Sequence, residues 1–142
     1  MADPILMSLL RINRRRMKDL RKSLAPYKYS GIMHLIMLYV NKNPGASQDD
    51  VVCFHGLDKG SVARDAKKLE DMGHIRREID PDNRRQYCLY LTDEGEAFLP
   101  VIRRGHDDFA EKLEAGLTQN EKALLVELLS KIEKNTLEES TS

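Results

Sequence analysis

Residues 57–95 read LDKGSVARDAKKLEDMGHIRREIDPDNRRQYCLYLTDEG, and the apolar period changes once inside this stretch. From Asp58 to Gly73, Val62, Ala66 and Leu69 recur at helical spacing, with Asp58 placed as an N-cap and Gly73 as the C-terminal stop. After Gly73 the period is two. Ile75, Arg77 and Ile79 alternate with Arg76 and Glu78, then Tyr87, Leu89 and Leu91 alternate with Cys88 and Tyr90. The turn formers DPDNRR between them predict a β-hairpin. Thr92, followed by Asp93 and Glu94, is the cap of a further helix.

On the N-terminal side, SQDDVVCFHG (47–56) predicts a short helix capped by Ser47, with Asp49 and Asp50 in its first turn and Gly56 closing it. About three residues separate it from the helix at Asp58, which leaves room only for a tight turn. A helix from about Ser30 precedes the pair. It has Ile32, Leu35, Ile36, Tyr39 and Val40 on one side, with Met33, Met37 and Leu38 widening the stripe, and it stops before Asn43-Pro44-Gly45. The first segment carries Leu6, Leu9, Leu10, Met17, Leu20 and Leu24 at helical spacing until Pro26. Beyond Thr92, Phe98, Ile102, Phe109 and Leu113 form one stripe, with Pro100 kinking the helix or lying in its early turns. Thr118 and Glu121 form a capping box ahead of Leu124, Leu125, Leu128, Leu129 and Ile132.

A helix-turn-helix followed directly by a hairpin is the order of a winged helix. The expected fold is therefore mainly α with a small β-hairpin wing. Residues 30–92 form the winged helix-turn-helix, and 4–25 and 93–136 form flanking dimerisation helices in one continuous structural unit.

The chain has 142 residues, 41% of them apolar and 32% charged, which suits one helix-rich globular domain. The 23 bases and 23 acids cancel overall but are unevenly spread. Residues 11–22 hold seven bases against Asp19, residues 92–142 hold twelve acids against six bases, and 58–91 hold eight bases against seven acids. A neutral total therefore does not argue against an anionic partner. The apolar runs are too short to span a bilayer and the N-terminus lacks the layout of a secretory signal, so the expected setting is cytoplasmic, with no membrane partner. Cys53 and Cys88 lack metal or disulfide spacing and are expected at packing positions. His34, His55, His74 and His106 are scattered, so neither metal nor cofactor is expected. With no glycine-rich phosphate loop or nucleophile elbow, the chain is expected not to be an enzyme.

In a winged helix the second helix of the pair enters the major groove of duplex DNA, while the hairpin reaches over the backbone toward the minor groove. Narrow minor grooves concentrate negative potential, which suits the flat, weakly hydrated guanidinium. That gives Arg84 and Arg85, with Asn83 beside them, a role at the wing tip. The alternative is that these arginines are solvated or pair with Asp80 and Asp82. On the recognition helix, Lys59, Ser61 and Arg64 sit toward its start, where Arg64 suits a bidentate contact to guanine. Lys67 and Lys68 suit phosphate contacts. Ser47, at the start of the first helix of the pair, completes the expected DNA-binding set. The basic run RINRRRMK reads as the outer face of a helix, with a DNA-facing arm as the alternative.

Over these residues the chain resembles the multiple-antibiotic-resistance regulator (MarR) family of transcription factors. The matching features are Leu69-Glu70-Asp71-Met72-Gly73, Ile75, Arg77, Arg85, Leu91 and Thr92, within a pattern covering nearly the whole chain. Two positions depart from the family pattern. Asn83 stands where the wing motif has Asp, and Ala63 stands where Thr or Ser is common. The resemblance implies a homodimeric, sequence-specific regulator, a repressor that leaves a pseudo-palindromic operator on binding a small aromatic or anionic effector. It places that effector in a cleft between dimerisation helices and lobes, for which Arg16, Tyr27, Tyr29 and His34 are the candidates. The alternative is a winged-helix ligand- or protein-binding adaptor without specific DNA binding.

Overall fold

The computed structural model describes residues 3–137. In chain order these form α1 (Pro4–Leu24), a 3-10 turn (Ala25–Tyr27), α2 (Met33–Lys42), β1 (Ala46–Ser47), α3 (Gln48–His55), α4 (Lys59–Asp71), β2 (Ile75–Ile79), β3 (Tyr87–Leu91), α5 (Asp93–Glu114) and α6 (Gln119–Asn135). The protein is mostly helical with a small antiparallel sheet in the order β1-β3-β2, of which β2 and β3 are the hairpin that the change of period predicts. It divides into two compact units, Met1–Asp107 and Asp108–Ser142.

The core of the first unit is built from the stripes read in the sequence. Met33, Ile36, Met37 and Val40 of α2 pack with Val51, Val62, Ala66, Leu69, Ile75, Leu89, Leu99 and Ile102. α2 buries most of its circumference, because Leu38 and Tyr39 also pack against this cluster. The stripe of α1 splits. Leu20 and Leu24 are buried, while Leu6, Leu9, Leu10 and Met17 remain exposed. Pro100 lies inside α5.

Three features differ from expectation. First, α2 begins at Met33, not Ser30. Gly31 adopts the left-handed conformation (φ +56), and the Ile32 amide donates to Asp65 Oδ2 at 2.9 Å, so the chain turns here before the helix starts. Second, the hairpin has a third strand, since Ala46 pairs with Leu89 and Ser47 with Cys88. Third, Cys53 is exposed, because the buried face of α3 is carried by Val51; only Cys88 is partly covered.

The second unit contains the end of α5 and α6. Thr118 Oγ1 accepts from the Glu121 amide at 3.1 Å and Glu121 returns the bond to Thr118 N at 2.9 Å, the expected capping box. Lys122 pairs with Glu114 across the turn at 3.3 Å. Leu124, Leu125, Val126 and Leu128 are exposed, and no residue of α6 is buried.

Candidate nucleic-acid interface

The helix-turn-helix is held by its caps. Ser47 Oγ accepts the Asp50 amide at 3.0 Å, and the Ser47 amide donates to Asp50 Oδ2 at 3.0 Å. Gly56 ends α3 in the left-handed conformation, and Asp58 opens α4 by accepting from Ser61 N at 2.9 Å. Val62, Ala66 and Leu69 face inward as predicted. Ser47 itself is only 7% exposed. Its hydroxyl is used in the cap and packed away from solvent.

Of the eight bases in 58–91, five have a carboxylate partner. Lys59 lies 3.8 Å from Asp49, Lys67 lies 3.0 Å from Asp71 and 3.3 Å from Glu70, and Lys68 lies 3.8 Å from Asp65. Arg76 pairs with Glu78 at 2.9 Å and Arg77 with Glu70 at 3.1 Å. Arg64, Arg84 and Arg85 have no carboxylate partner among the described residues. These are the three guanidiniums that the sequence assigns to base and groove reading.

Arg64 is nevertheless oriented. Its Nη2 donates to Ser61 Oγ at 3.2 Å, and Ser61 Oγ donates to Asp58 Oδ2 at 3.2 Å. Ser61 thus holds the arginine and does not lie idle at the helix start. Ser30, Gly31, Ser61, Arg64, Asp65 and Lys68 line a shallow cleft of about 290 Å³ between the start of α2 and α4. Sequence reading missed Asp65 because its partner lies 33 positions away. Only 5% exposed, it joins the Ile32 amide to α4 and lies against Gly31, where a Cβ would come within 2.6 Å of Oδ2.

At the wing tip, the Asp80 amide donates to Gln86 O at 3.1 Å, and Gln86 Nε2 donates to Asp80 Oδ2 at 2.8 Å. Asn83 Oδ1 accepts the Arg85 amide at 3.1 Å. An asparagine suits this turn as well as an aspartate would, since its task is to bind backbone. Bonds from the Asp82 amide and Gln86 hold the Asp80 carboxyl below the usual range. Asp80 is thereby committed to shaping the loop, while both arginine side chains remain exposed.

The four effector candidates do not share one cavity. Tyr29 is buried, its hydroxyl 2.6 Å from His74 Nδ1, and burial pushes it above the ordinary tyrosine range. Tyr27 stacks edge-on against Phe98, and Arg16 donates to Asn13 Oδ1 at 2.9 Å. His34 lies 6.0 Å from the ring of His106. Tyr29 and His34 line a crevice of only about 10 Å³, smaller than any aromatic acid. A larger cleft, of about 490 Å³, lies between α2, α3 and the middle of α5, with Tyr39, Lys42, Phe54, His55 and Arg103 in its lining. Phe54 is 69% exposed there, 5.0 Å from the Tyr39 ring.

Burial, helped by the positive fields of His106, Arg16 and His55, pushes His34 down to about 4. An unfolded histidine titrates near 6.5, so the unfolded chain binds a proton in the window between these values while the folded chain does not. Stability is therefore complete above pH 6.5 and declines as pH falls toward 4, by on the order of 2–3 kcal/mol. Urea midpoints measured across that window should fall with pH, and His34→Asn should flatten the fall. An equal fall in the variant would remove His34 from this account.

The family model for the MarR family matches residues 33–87, the span from α2 to the start of β3. The chain is 30% identical over 102 residues to the uncharacterized HTH-type transcriptional regulator YybA of Bacillus subtilis (strain 168), covering 72% of this chain and 68% of that one. The chain belongs to the MarR family. Its fold matches a crystal structure of MarR with a TM-score of 0.84 at 28% identity, covering 94% of this chain and 90% of the other. A family member from Listeria monocytogenes, solved in complex with a 26mer DNA, matches with a TM-score of 0.81 at 23% identity, over 95% of this chain and 89% of its own. The chain is thus a helix-turn-helix transcriptional regulator of the MarR family with the winged-helix fold. No helix among the described residues is long and apolar enough to cross a membrane.

Proposed function

We propose that this MarR-family regulator binds a pseudo-palindromic DNA operator as a homodimer, and represses transcription until a small aromatic or anionic effector releases it. The observation that carries the reading is the charge pairing. Where the other five bases of residues 58–91 are matched by an acid, Arg64, Arg84 and Arg85 have no carboxylate partner among the described residues and are left to an external anion. α4 would enter the major groove with Arg64 reading base edges and Lys59, Lys67 and Lys68 exchanging their acids for phosphates. The wing would carry Arg84 and Arg85 to the minor groove.

The exposed apolar faces support a dimer. Ile5, Leu6, Leu9 and Leu10 of α1, and Leu124, Leu125, Val126 and Leu128 of α6, face solvent in the single chain. Burying them on a second copy removes a large apolar area from water and supplies the two-fold symmetry that matches a palindrome. Sedimentation at micromolar concentration should give the dimer mass; a monomer would contradict this part.

For the effector, the cleft beside Tyr39 and Phe54 fits better than the residues first expected. It offers aromatic faces with Lys42 and Arg103 in its lining, complementary to an aromatic carboxylate. Sequencing the genomic duplex fragments that the purified protein retains tests the whole reading. Enrichment of one inverted-repeat sequence supports it, and retention without sequence preference favours the adaptor reading instead.

A further inference from the structure

In the sequence, Arg77 is one residue of an alternating strand. In the structure its guanidinium joins three elements. Nε and Nη2 donate to Glu70 Oε2 and Oε1 at 3.2 and 3.1 Å, in the last turn of α4. Nη1 donates to Gln48 Oε1 at 3.4 Å, on the first residue of α3. The guanidinium carbon lies 4.5 Å from the centroid of the Tyr87 ring on β3. The register explains that contact. Arg77 pairs with Leu89 and Ile79 with Tyr87, so Tyr87 is the diagonal neighbour of Arg77 on one face of the hairpin. The Arg77 side chain is 15% exposed, and this pairing holds the Glu70 carboxyl below the usual range.

We propose that Arg77 and Glu70 are positioning residues that fix the wing against the recognition helix and so set which flanking sequences the protein prefers. The inference rests on the DNA-binding reading above. Its physical basis is that the apolar core holds the wing through Ile75 and Leu89 and leaves the outer half of β2 to other contacts. Along β2 the buried residue is Ile75, and Ile79 near the tip is exposed. β2 is a five-residue edge strand of a three-stranded sheet, paired only with β3, and short strands of so small a sheet depend on packing against neighbouring helices. On β2, between base and tip, the Arg77 fork is a polar tie to α3 and α4. Only arginine offers parallel donors matched to a carboxylate and a flat face for Tyr87; lysine offers neither. Lys67 also reaches Glu70, but its shorter contact is to Asp71, so it can turn to a phosphate without freeing Arg77. Arg76 is a natural control. It lies on the opposite face, and its partners, Glu78 and Tyr90, are both within the hairpin.

The test compares Arg77→Lys, Glu70→Gln and Arg76→Lys with the unaltered chain, by native-state hydrogen exchange without DNA and by binding to two duplexes. The duplexes share the operator core recovered by selection and differ only in A·T-rich or G·C-rich flanks. In Arg77→Lys and Glu70→Gln, amides of β2 and β3 should exchange about tenfold faster while global unfolding stays cooperative. The preference between flanks should fall toward one, with an unchanged salt slope, because neither residue meets a phosphate. Arg76→Lys should keep both protection and preference. Unchanged wing protection and flank preference in both test variants would overturn the proposal. A uniform loss of affinity with a lower salt slope would also overturn it, by making Arg77 a phosphate contact. If the unaltered chain binds no duplex, the DNA-binding reading fails separately, and the exchange data alone decide whether Arg77 orders the wing.

Discussion

Replacing Arg84 and Arg85 together with alanine should weaken operator binding by about ten- to a hundredfold at physiological salt and leave folding untouched. Folding should survive because neither side chain has a carboxylate partner among the described residues or a buried surface to lose. The loop keeps its shape through Asp80, Gln86 and the Asn83 bond to the Arg85 amide, all of which the substitutions retain. Each cation removed from the DNA should lower the slope of log K against log salt by about one unit. Preference for A·T-rich flanks should fall as well, because groove width is what an inserted arginine reads. Arg64→Ala should behave differently. It should cost roughly 1–3 kcal/mol at one or two base positions and leave flank preference intact. Fluorescence anisotropy with labelled duplexes over a salt series separates these outcomes. Unchanged affinity and slope in the double variant would make the wing arginines solvated charges.

The second large effect is on stability. Gly95→Ala should destabilise the first unit by about 3 kcal/mol and lower its Tm by on the order of 10 °C. Helix propensity alone would favour alanine by about 1 kcal/mol, so the sign rests on packing. A Cβ at Gly95 would overlap the carbonyl oxygen of His74, and a backbone carbonyl cannot swing aside as a side chain can. That carbonyl is also pinned, since it accepts the Thr92 amide at 3.1 Å. Thr92 in turn donates its hydroxyl to Gly73 O at 2.5 Å and accepts the Gly95 amide at 3.0 Å. The end of α4, the base of the wing and the start of α5 therefore meet at one close crossing. Thermal unfolding by circular dichroism measures the shift; a Tm equal to or above that of the unaltered chain would refute it.

What the sequence made legible were local signals. Asp58, Ser47 and Thr118 cap helices because a short polar side chain can reach an amide two or three residues on. The wing was legible because side-chain direction alternates strictly along a strand. What stayed hidden depends on residues distant in the chain. β1 has two residues, too few for any period, and exists because Leu89 and Cys88 lie beside it. Asp65 has the spacing of an ordinary polar helix position, and nothing local announces that Ile32 needs its oxygen. Arg77 reads as a strand residue until Glu70, Gln48 and Tyr87 are seen around it. The family resemblance makes Tyr29 an effector candidate, yet it is buried against His74 and Phe98.

The salt dependence of binding to a selected operator duplex tests the central claim most directly. If each protomer of a dimer places Arg64, Arg84 and Arg85 on the DNA and turns Lys59, Lys67 and Lys68 to phosphates, log K should fall linearly with log salt, with a slope between about −5 (arginines alone) and about −11 (all six). A random duplex should bind at least about a thousandfold more weakly at physiological salt. A slope near zero, or equal affinity for operator and random duplex, would contradict the account.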